Sequence, residues 1–90
     1  MKLPKFEPWE PVMINWNDAT AATEGWHKVR KHERLITGCV TVGQVEKQTK
    51  DTLTIVLSHD TRSGDVYGCI TIPTAVITMF ARLTRPHADG

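Results

Sequence analysis

One stretch limits the possible folds more than any other. Residues 66–72 alternate like a strand, Val-Tyr-Gly-Cys-Ile-Thr-Ile, and the run stops at Pro73. Proline has no N–H to give to a ladder, so the strand ends there. A short turn follows, and a second β-rich run starts near Val76 and reaches about Leu83. Strand, Ile-Pro, tight turn and closing strand suit a small bent barrel, a pattern that specifies a fold and not a chemistry.

The rest of the chain reads the same way. Val12, Ile14 and Trp16 alternate with Met13, Asn15 and Asn17, a short half-buried strand. Residues 17–25 are small and polar and read as a loop. Residues 24–34 read as a short helix with Trp26 and Val29 on its narrow apolar stripe. Residues 36–48 form a long strand region interrupted by Gly38 and Gly43, where bulges or bends are expected. Leu53, Ile55 and Leu57 then alternate with Thr52, Thr54, Val56 and Ser58, after a turn near Lys50-Asp51. Residues 58–65 read as a hairpin loop. In the strand that follows, Val66, Gly68, Ile70 and Ile72 point inward, and Tyr67, Cys69 and Thr71 outward. The closing strand is apolar on both faces, with Val76 and Phe80 on one and Ile77 and Met79 on the other. Such a strand needs a second cover. The fold class is therefore mainly β: a five-stranded, strongly bent SH3/Sm-like barrel with one short helix.

Ninety residues make one domain. Residues 12–84 carry the barrel, 85–90 a mobile tail, and 1–11 an extended arm. Pro4, Pro8 and Pro11 exclude helix from the arm, and Leu3, Phe6 and Trp9 recur every third residue, on one side of a polyproline-like segment. That side either covers the domain's own core or docks on a neighbouring subunit. In the second case Phe6, Trp9 and Phe80 are the interface candidates.

The formal net charge is +1, so no global field draws the chain to nucleic acid or membrane. No apolar run approaches the ~18 residues of a membrane-spanning helix, and the N-terminus lacks the apolar stretch of a signal peptide. A cytoplasmic protein is the expectation. Cys39 and Cys69 belong to no CxxC motif and are expected as thiols buried in strands. His27 and His32 lack the i, i+4 spacing of a zinc helix, so no metal or other cofactor is expected. Asp18, Glu24, His59, Asp60 and Asp65 fall in no nucleophile, phosphate-loop or paired-carboxylate motif, and the reading is that of a protein without catalytic residues.

The densest chemistry is the basic segment. Trp26, Lys28, Arg30, Lys31 and Arg34 lie within nine residues, with Glu33 as the one acid. Cations beside an aromatic ring can bind phosphate and stack on a base. The competing reading is a solvated helix face.

Trp16-Asn17-Asp18-Ala19, Gly25-Trp26, Thr41-Val42-Gly43 and Ile72-Pro73 together resemble a pattern found in small uncharacterised proteins of tailed phages and prophages. The resemblance covers about residues 14–83. The arm is longer here and the segment after Trp26 more basic. The resemblance implies no activity and no site residues. It implies a phage setting, in which small proteins act by binding a host protein, a nucleotide or nucleic acid. The expectation is a non-enzymatic, self-associating binding protein. Two alternatives stand beside it: a nucleic-acid-binding barrel, and capture of an anionic nucleotide at a subunit interface.

Overall fold

A computed structural model describes residues 1–20 and 35–84. Five antiparallel strands form one sheet: β1 (Pro11–Thr20), β2 (Leu35–Gln48), β3 (Thr52–His59), β4 (Val66–Pro73) and β5 (Ile77–Arg82). Their order across the sheet is β4-β3-β2-β1-β5. A 3₁₀ turn, Thr74–Val76, joins β4 to β5, so the strand–Pro–turn–strand reading holds. The turn is tied back to the β2–β3 hairpin, because Thr74 donates its N–H to the Asp51 carbonyl at 2.8 Å and its hydroxyl to the Lys50 carbonyl at 3.2 Å. The expected helix over 24–34 and most of the tail lie outside the described residues.

The fold is mainly β, as expected, but among the described residues the sheet is not closed: β4 pairs with β3 and β5 with β1, and the two edges do not pair with each other. Strand β2, the longest, is shared between two partners. Leu35–Gln44 pair with β1, and Gln44–Gln48 pair with β3. Strands β1 and β3 thus occupy successive stretches of β2, and the two halves of the sheet are offset along it. Strand β1 also runs four residues beyond the Trp16 boundary read from alternation, into polar Asn17-Asp18. The ladder continues there because β2 offers partners out to Leu35.

Gly43 lies where β2 passes from pairing with β1 to pairing with β3. A Cβ at this position would lie 2.4 Å from the Val56 carbonyl oxygen and 2.6 Å from Ile55 Cγ2. Only glycine lets the strands approach so closely. Two bulges complete the shape. Glu46 is the extra residue where β2 meets β3, and Thr78 is the extra residue where β5 meets β1. Thr78 fills its place by donating its hydroxyl to the Asn15 carbonyl at 3.2 Å.

The second bulge alters the reading of the last strand. Ile77 is in the core, and Val76 and Phe80 pack against it, while Met79 alone among these points out. The extra residue turns Ile77 and Phe80, three apart, to the same side. The core itself is small: Phe6, Val12, Ile14, Val45, Leu53, Ile55, Ile72 and Ile77. In β3 the expected alternation gives way to four consecutive buried residues, Leu53–Val56, and Leu57 is 62% exposed.

Candidate binding surfaces

The arm folds onto its own chain. Beyond one turn of its own, in which the Glu10 N–H donates to the Glu7 carbonyl at 3.1 Å, its partners come from β2 and β5. Gln48 does most of this: its Oε1 accepts from the Phe6 N–H at 2.9 Å, and its Nε2 donates to the Pro4 carbonyl at 2.8 Å. Glu10 is buried and holds the other end. One carboxylate oxygen accepts from the Glu7 N–H at 3.0 Å and the other pairs with Arg82 Nε at 3.2 Å. Arg82 also donates to the Lys5 carbonyl at 2.9 Å and lies 5.3 Å over the Phe6 ring.

Two of the three interface candidates, Phe6 and Phe80, sit together in this arrangement. Phe6 is 5% exposed, inside the core, and meets the Phe80 ring edge-on at 5.8 Å. Phe80 is half-buried. Leu3 packs on the same core, as the three-residue spacing implies. Trp9 departs from that line because its φ is +62°, a left-handed conformation that costs a non-glycine residue about 1 kcal/mol or more. Its ring is turned onto His59 instead, stacked at 3.6 Å and 12°. Phe6 is therefore spent on the chain's own core, and Trp9 and Phe80 keep only part of their surface outward.

Between arm and β2 runs an open groove of about 470 Å³ with apolar walls from Leu3, Phe6 and Val45. Lys5, Lys47 and Lys50 stand on its rim with Glu7 and Glu46, so its charge is mixed and selects no single class of ligand.

Strands β3 and β4 present little chemistry of their own. Asp60 caps its own loop, accepting from the backbone N–H groups of Arg62 at 2.8 Å and Ser63 at 3.3 Å. These bonds hold its carboxyl below the usual carboxylate value of 3.8. With His59 stacked on Trp9, the His59-Asp60 pair is occupied structurally. Cys69 is exposed, contrary to the burial expected of it, because its side of β4 is uncovered. Its thiol donates to Glu46 Oε2 at 3.6 Å, the side chain that the β2 bulge puts forward. Local desolvation first, and this carboxylate second, push the thiol above its ordinary 9.0. Among the described residues no three His, Cys, Asp or Glu side chains gather as a metal site requires. No described helix is long and apolar enough to cross a membrane.

Trp26, Lys28, Arg30, Lys31 and Arg34, the candidate ligand-binding residues, lie outside the described residues. What sequence reasoning missed is the outer face of β2, β1 and β5, where Val40, Val42 and Met79 are 61%, 51% and 55% exposed. The alternation Val40-Thr41-Val42 carried that signal, but it does not say which side of a strand is the covered one. No protein-family model, curated protein or solved structure matches the chain.

Proposed function

We propose that this chain is a non-enzymatic binding protein that works as a homo-oligomer, built on a sheet of SH3/Sm-like order. The strand order, the 3₁₀ turn before β5 and the close approach of β3 to Gly43 support the kinship with that barrel class. The observation that carries the oligomeric reading is the apolar surface left outside on the described strands, where Val40, Val42, Leu57, Tyr67 and Met79 are each more than half exposed. Edge strands β4 and β5, each paired on one side among the described residues, support the same reading. The resemblance to small tailed-phage proteins supports a setting in which such an oligomer holds a host protein or a ligand. The nucleic-acid and nucleotide readings rest on the basic segment around Arg30 alone.

Native mass spectrometry tests the proposal, on protein purified without nuclease and without stringent washing. An oligomer of defined size is expected, and any retained mass identifies the ligand class. A monomer at every concentration would overturn it.

A further inference from the structure

We infer that residues 1–6 exchange between two copies of this chain, each arm seating in the other copy's socket, with the turn at Trp9 as the hinge. The inference rests on the homo-oligomeric reading above and names the contact that makes the oligomer. The hinge carries the strain. Glu10 donates its N–H to the Glu7 carbonyl at 3.1 Å, so residues 7–10 form a tight turn that folds the arm back toward β2. Pro8 takes the second position of this turn and Trp9, at φ +62°, the third. Proline followed by a positive φ is the type II pattern, which calls for glycine or asparagine where Trp9 stands. Among the described residues Trp9 is the one non-glycine with a positive φ. Opening the turn returns it to an extended conformation and releases that strain. Pro8 suits the open form as well, since Pro8 and Pro11 favour extended backbone at Glu7 and Glu10 before them. Short hinges under strain invite exchange of the segment they carry.

The socket itself shows what fills it. The Phe6 N–H and the Pro4 carbonyl meet Gln48, the Lys5 carbonyl meets Arg82, and the Phe6 ring meets Phe80. Each contact has one partner in the arm and the other on the sheet. The arm of a second copy has the same sequence, so it makes the same contacts with the partner's Gln48, Arg82 and Phe80. Opening the turn gives up only bonds of the turn, those between Glu7 and Glu10 and from the Trp9 N–H to the Val45 carbonyl. The exchange is closed and symmetric, with two arms in two sockets about one two-fold axis. Residues 7–10, once extended, span about 13 Å at ~3.3 Å each, which sets the axis beside the turn.

Isotope-mixed crosslinking tests this on the unaltered chain. Lys5 on the arm and Lys47 and Lys50 on the socket side line one groove. Equal amounts of light-nitrogen and heavy-nitrogen protein are unfolded together, refolded and treated with a short amine-reactive crosslinker. The dimer fraction is then digested for mass spectrometry. The expected result is mixed isotopes in about half of the Lys5–Lys47 and Lys5–Lys50 pairs, the share that random pairing into two-fold dimers gives. A dimer with only unmixed pairs would overturn the exchange and leave the homo-oligomeric reading standing. A chain that is monomeric throughout would overturn both. Two variants test the hinge by light scattering across a dilution series. Trp9→Gly relieves the closed turn of its strain and should raise the dimer dissociation constant several-fold. His59→Ala removes the ring stack on Trp9 but keeps the strain, and should not raise it. A dimer as tight in Trp9→Gly as in the wild type would take the hinge away from Trp9 and overturn the inference.

Discussion

Gln48 grips the arm just ahead of the Phe6 ring, taking the Phe6 N–H on Oε1 at 2.9 Å and giving Nε2 to the Pro4 carbonyl at 2.8 Å. One amide side chain thus pairs with an extended segment as a neighbouring strand would. The grip places the Phe6 ring between Arg82 and Phe80 and finishes a core with few other large members.

Removing that grip should loosen the arm without unfolding the sheet. Gln48→Ala deletes two partly buried hydrogen bonds, about 1 kcal/mol each. Phe6→Ala removes the ring itself, about 3 kcal/mol. Hydrogen exchange should show the amides of residues 5–7 accelerated in Gln48→Ala and those of β1 unchanged. Thermal melts should rank Phe6→Ala below Gln48→Ala, at about 4–8 °C per kcal/mol for a domain of this size. Unchanged exchange at Phe6 would show that the arm is held by something other than Gln48.

The Glu46 carboxylate should protect Cys69 chemically even though the thiol is exposed. Local desolvation is the largest single cause of the upward shift, and Glu46 adds to it through its hydrogen bond and its charge. The thiolate is the reactive form. Near pH 8 alkylation of Cys69 should therefore be slower than that of an unhindered thiol, and Glu46→Gln should speed it. A rate unaffected by this substitution would remove Glu46 from the account.

The Asp60 loop should weaken in acid. Its carboxylate is favoured in the folded loop by the Arg62 and Ser63 N–H groups, so its folded pKa lies below 3.8. The sign follows from linkage: this contribution is fully present above about pH 4 and is lost as pH falls through the lower folded value. The Arg62 amide shift, followed by NMR from pH 5 downward, should titrate with a midpoint under 3.8. In Asp60→Asn that titration should vanish. A midpoint at or above 3.8 would contradict the capping role.

Much of the fold was legible because it depends on local rules. Pro73 ends β4 through its missing N–H, and the turn residues of 60–65 announce a hairpin. Alternation placed Val12, Ile14, Leu53 and Ile55 in the core. Closure was not legible, because it depends on long-range register between strands, which no local pattern encodes. The Thr78 bulge was hidden for the same reason: period-two counting put Ile77 and Phe80 on opposite faces until one extra residue brought them together. Of the candidate site residues, Phe6 was found by its spacing, yet that spacing serves cis and trans packing equally. The Gln48 amide that settles the arm on its own chain gave no signal at all, since a glutamine at a strand end is ordinary.

Gly38 and Gly43 provide the sharpest test of the close strand approach, because one strand carries both and the sequence gives them equal weight. At Gly38 an added Cβ meets nothing within 4 Å, and its backbone is not left-handed. At Gly43 it meets the Val56 carbonyl oxygen at 2.4 Å, an atom held in the ladder and unable to swing aside as a side chain would. Gly38→Ala should be neutral or slightly stabilising, since it reduces the freedom of the unfolded chain. Gly43→Ala should cost about 3 kcal/mol, the upper range for overpacking a well-filled site, or open the β2–β3 ladder at Gln44–Val45. Denaturant melts of the two variants separate the cases. Equal stabilities would mean that β3 can draw back from Gly43 without penalty, and the close approach would then not require glycine there.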